Sequence, residues 1–129
     1  MEAMQQPYGK QHSANTLIGA DKVDGTDVYN TSGERLGEIH DIMIDKVSGR
    51  VAYAVLSFGG FLGLGEKYHP LPWNALKYDT SMSGYVVGLS KDQLEGSPSY
   101  ADGEEPAWGD RDYEKRVHDY YGLPPYWMV

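Results

Sequence analysis

The sequence contains no cysteine. Disulfides, thiolate metal sites, iron–sulfur clusters and a cysteine nucleophile are therefore excluded. At 129 residues one domain is expected, and a domain of this length buries a sufficient apolar core without covalent or metal staples. Positive charge is scarce. Eleven Lys and Arg stand against nineteen Asp and Glu, a net charge of −8. That balance argues against direct nucleic-acid binding, which draws on neutralisation of phosphates by basic side chains. Long apolar runs are also missing. The longest charge-free stretch, Val51 to Gly65, has fifteen residues. A spanning helix needs about 20 mostly apolar residues, so no membrane insertion is expected. The opening residues lack the apolar core of a secretory signal. With the absence of cysteine, this fits a cytoplasmic protein.

What is present divides into three zones. Residues 1–15 are Gln-, Ser- and Asn-rich without periodicity, and read as a flexible polar tail. Residues 16–100 form the domain, rich in Val, Ile, Leu, Tyr and Gly up to about Leu89. Residues 101–129 form an acidic, aromatic C-terminal arm. The middle zone reads as strands: Asp27 to Asn30, Leu36 to Asp45, Val51 to Phe58 and Tyr85 to Leu89. Trp73 to Leu76, after Pro70 and Pro72, reads as an edge or short strand. In Leu36–Asp45 the apolar positions change parity between Ile39 and Ile42, which one extra residue near His40–Asp41, a bulge, would repair. Ser48-Gly49 is a hairpin turn, and the nearly all-apolar Val51–Phe58 predicts a central strand buried on both faces. This pattern of short strands predicts a small barrel or sandwich. Ser90 with Gln93 three residues on predicts a capped helical turn closed by Gly96. Asp110 to Tyr121 is the strongest helix, capped by Asp110, stopped by Gly122 before Pro124-Pro125, with Tyr113, Val117, Tyr120 and Tyr121 on one stripe.

The order of motifs resembles the PRC-barrel family. The matching pieces include Leu17-Ile18-Gly19, Val28-Tyr29-Asn30, Leu36-Gly37-Glu38-Ile39, Asp41-Ile42-Met43-Ile44-Asp45 and Ser48-Gly49-Arg50-Val51. Ala54 to Gly60, Phe61 to Gly65 and Leu71-Pro72-Trp73-Asn74-Ala75-Leu76 continue the series. The likeness is greatest to small stand-alone bacterial members. The family also includes the cytoplasmic domain of the reaction-centre H subunit and the C-terminal domain of a ribosome-maturation factor. The resemblance implies a mostly β fold, a small twisted antiparallel β-barrel, here followed by a short C-terminal helical arm. It implies protein–protein or protein–RNA contact and no catalytic residues.

The residues support no chemical site. His12, His40, His69 and His118 fall in no triad motif, and no Gly-x-Ser-x-Gly elbow occurs. They are read as solvent-facing or structural. Metal-binding spacings are absent. Asp41 and Asp45 would stand about 13 Å apart on a strand, too far for a glycosidase pair at about 5–9.5 Å. The run Gly59 to Lys67 fails as a phosphate loop, because Glu66 precedes Lys67 and Tyr68 follows it. No enzyme activity, cofactor or metal is expected.

Two apolar features remain. Phe61, Leu62 and Leu64 read as the tip of a Gly-rich loop that folds back on the barrel or meets a partner. Tyr113, Val117, Tyr120 and Tyr121, with Trp108, Tyr126 and Trp127, either pack on their own barrel or across a dimer. Together these form the candidate interaction surface. The expected function is a protein-interaction module, homodimeric or larger, with a protein partner. The alternatives are a ribosome- or RNA-processing-linked factor and an accessory subunit docking on a membrane protein complex.

Overall fold

The computed structural model describes residues 17–61, 64–104 and 106–128, the side chains of 59–61 and 64–66 excepted. A short helix, α1 (Ala20–Val23), leads into strand β1 (Asp27–Tyr29). The buried Asn30 then organises a tight turn, its Oδ1 accepting from the backbone N–H groups of Ser32 and Glu34. Next come β2 (Arg35–Ile44), β3 (Val51–Phe61), β4 (Leu64–Pro72), a 3-10 turn (Trp73–Ala75), β5 (Leu76–Asp79) and β6 (Gly84–Val87). Helix α2 (Lys91–Glu95), strand β7 (Tyr100–Ala101), helix α3 (Arg111–Tyr121) and a last 3-10 turn (Tyr126–Met128) complete the chain.

The strands make one seven-stranded sheet in the order β5-β6-β1-β2-β3-β4-β7. The fold is mostly β, as expected, but two details differ from the antiparallel barrel predicted above. The β1–β6 pair is parallel. Among the described residues the sheet does not close, because its end strands β5 and β7 do not pair with each other. No helix among them is long and apolar enough to cross a membrane.

The parity change in β2 is a bulge: the register against β3 shifts between Ile39 and Asp41, leaving His40 as the extra residue. Buried Ile39 and half-buried Ile42 thereby reach the same core. Strand β3 is buried on both faces. Ala54 and Leu56 join Val28, Leu36, Leu71 and Leu94 in the main core, whereas Tyr53 packs with Val117 of α3 in a second one.

The Gly-rich run is not a broad loop. Strands β3 and β4 continue through it and pair as far as Phe61 and Leu64. Strand β4 was hidden by Pro70 and Pro72, which nonetheless sit opposite Val55 and Tyr53 of β3. The short β7 pairs only with Lys67 and Tyr68. Beyond that, β4 has an unpaired side where a missing N–H costs no ladder bond. The expected strand around Trp73–Leu76 is instead the 3-10 turn running into β5.

Both predicted helix caps form. Ser90 and Gln93 make a reciprocal capping box on α2. Asp110 accepts from the Asp112 N–H, and Gly122 ends α3 at φ 70°, the left-handed conformation glycine favours. Gly96 differs: its backbone is right-handed. What restricts it is the Tyr120 hydroxyl, 3.2 Å from where a Cβ would stand.

Candidate functional site

The aromatic arm packs on its own sheet. Val117 is fully buried, and Trp108, Tyr113, Tyr121 and Tyr126 pack around it with Ala52 and Tyr53. Tyr120 is partly exposed, but its hydroxyl donates to the Gln93 carbonyl and so ties α3 to α2. The half-buried Trp127 ring lies under the Arg111 guanidinium, 3.9 Å from its carbon. Of the candidate surface residues, Leu62 and the side chains of Phe61 and Leu64 lie outside the described residues.

Beneath the arm lies a polar cluster that sequence reading missed. The Tyr53 hydroxyl donates to Glu114 Oε1 at 2.8 Å and lies 2.9 Å from His118 Nε2. A phenol has one proton, so this arrangement assigns the His118 proton to Nε2, which donates to the tyrosine oxygen. Glu114 Oε2 accepts from the Gly109 N–H at 2.6 Å, and Arg111 Nη1 stands 3.7 Å from Oε1. The buried carboxylate is thus bonded on both oxygens. Burial, followed by the bond to Glu114, drives the Tyr53 phenol well above its usual range. Burial also lowers the His118 pKa, opposed by Glu114, Asp119 and the Pro124 carbonyl. His118 Nδ1 nevertheless makes no hydrogen bond of good geometry. The cluster holds the arm on β3; every polar atom bonded within it faces another part of the chain.

A second pair unites β4 with Ser97, two residues beyond the end of α2. Ser97 Oγ donates to the Leu94 carbonyl at 2.6 Å and lies 2.8 Å from His69 Nδ1. The hydroxyl proton is committed to the carbonyl, so the imidazole donates to Oγ. Burial, with a smaller contribution from Lys67, pushes the His69 pKa down to about 4. A folded-state pKa below the unfolded value means stability is complete above pH ~6.5 and is lost as pH falls toward ~4. Between pH ~7 and ~4.5 the loss from this group is roughly 2.5 kcal/mol. His69→Asn, which keeps a donor but does not titrate, is expected to flatten this part of the urea-stability profile. Parallel profiles for the two proteins would refute the assignment.

The remaining described histidine, His40, is exposed on the β2 bulge and stacks on Tyr68 at 4.3 Å between ring centres. Among the described residues no three His, Asp or Glu side chains cluster to hold a metal.

Solvent meets a different set of groups at the β5–β6 end of the sheet. A groove of about 570 Å³ lies there, with Ala75, Val86 and Gly88 among its lining and Thr31, Lys77, Asp79 and Thr80 beside them. Tyr78 is 48% exposed and meets the buried Tyr85 edge-on, with ring centres 5.1 Å apart. Bonds from Ser81 and Met82 hold the Asp79 carboxyl below its usual pKa. The lining offers hydrogen-bonding groups and two single charges, Lys77 and Asp79.

No curated protein gives a significant match to the sequence. The family model of the PRC-barrel domain matches residues 15–94, which takes in the sheet from β1 to β6 together with α2, and leaves the arm outside. Since that match spans more than half of the chain, this protein belongs to the PRC-barrel domain family.

Proposed function

We propose that the chain is a non-enzymatic protein-interaction module, an adaptor or assembly piece of the stand-alone bacterial kind, which self-associates and works in the cytoplasm. The observation that carries this reading is the contrast between the two ends of its polar chemistry. The buried Tyr53, Glu114, His118, His69 and Ser97 are spent on holding the fold. The open groove and the unpaired edge at β5 are what the molecule presents outward. Family membership agrees with the reading without deciding it, since one fold hosts many functions.

The test is a tagged pull-down from a lysate of the source organism, with and without RNase, beside light scattering on the purified chain at micromolar concentration. A discrete protein partner that survives RNase, or a mass above the monomer, is expected. A strict monomer that recovers no protein would overturn the reading. Ribosomal proteins lost on RNase treatment would replace it with the ribosome-linked alternative.

A further inference from the structure

The two ends of the sheet are unlike. Strand β7 has two residues, whereas β5 has four and, among the described residues, pairs only with β6 on its inner side. An open edge presents a row of backbone donors and acceptors to any strand that fits. We infer that β5 pairs antiparallel with β5 of a second copy, about a two-fold axis through Tyr78, so that two sheets join across one seam. This rests on the self-association proposed above and names the surface that performs it.

Charge selects that register. Lys77 and Asp79 flank Tyr78 and, two residues apart, share one face of the strand. With the axis at Tyr78, each Lys77 faces Asp79 of the other copy, giving two ion pairs. An axis at Lys77 would oppose two cations, and one at Asp79 two carboxylates. Among the described residues neither Lys77 nor Asp79 enters an ion pair within the chain. The bonds that Ser81 and Met82 make to Asp79 all go to Oδ1, leaving Oδ2 for a cation across the seam. An edge lysine ordinarily deters strand pairing; here it deters the registers that place like charges together. On the opposite face the axis sets the exposed Tyr78 against its copy, a favourable cross-strand aromatic pair. A seam of this length gives a weak dimer, in the micromolar range.

The absence of cysteine makes the test clean. Tyr78→Cys places a single thiol on the axis, where two copies can form a disulfide in a glutathione redox buffer. Val47→Cys, at a position 97% exposed in the turn between β2 and β3, measures random collision. Sedimentation equilibrium of the full chain is run beside Lys77→Asp, which sets like charges across the seam, and Asp79→Asn, which keeps the acceptor for the turn. The expected results are a dimer in the parent chain, association about tenfold weaker in Lys77→Asp, and faster disulfide formation by Tyr78→Cys than by Val47→Cys. Thermal melts show whether each variant is folded. A dimer indifferent to Lys77→Asp, with the two thiols oxidising equally, would overturn the seam and leave self-association standing. A chain monomeric throughout would overturn both.

Discussion

Replacing Glu114 by alanine is expected to lower stability by about 1–3 kcal/mol, the usual cost of leaving a buried polar group without its partner. The carboxylate accepts from both the Tyr53 hydroxyl and the Gly109 N–H. Its loss takes an acceptor from the buried Tyr53 hydroxyl and from the exposed Gly109 N–H, and Arg111 loses a buried anion beside it. Glu114→Gln keeps one acceptor oxygen and should cost less than half as much. Urea unfolding followed by tryptophan fluorescence is the measurement, because Trp108 stands 5.5 Å from the Tyr53 ring and reports the arm directly. An unchanged midpoint in Glu114→Ala would show that the arm is held by Val117 and the aromatic rings alone.

Gly37→Ala should be about as damaging, at about 3 kcal/mol, for a steric reason. A Cβ on Gly37 would stand 2.1 Å from the Ser57 carbonyl oxygen and 3.4 Å from a Leu56 methyl. Ser57 belongs to the middle of the sheet, so the obstructing atom is backbone and cannot swing away. The close approach arises where β2 passes from pairing with β1, at Val28–Gly37, to pairing with β3, at Glu38–Ser57. Gly88→Ala is the matched control, since a Cβ there meets nothing within 4 Å. Comparable melting temperatures for the two variants would refute the explanation.

These two residues mark the boundary between what a linear reading reaches and what it misses. The Ser90–Gln93 capping box and the Asp110 and Gly122 caps were legible because their hydrogen bonds close within a few residues. The bulge at His40 was legible because a parity change in apolar positions has one simple repair. Strand β4 was not, since glycines and two prolines argue locally against a strand, and only the shortness of β7 leaves the prolines an unpaired side. The aromatic stripe of α3 was visible, but its destination was not. An amphipathic face states that it must be covered and leaves open by what; here Ala52 and Tyr53 of the same chain cover it.

The sequence by itself determined the family, the mostly β class, the helix ends and the absence of thiol chemistry. The family follows from the resemblance of an ordered set of motifs; the rest follows from composition or from contacts between near neighbours. The tertiary structure alone decided that Tyr53 meets Glu114 and His118 across more than sixty residues, that His69 meets Ser97, and that β5 is left as an open edge. Those outcomes depend on which strands lie side by side. That order is set by the burial of the whole apolar surface, to which every element contributes and which no local stretch of sequence specifies.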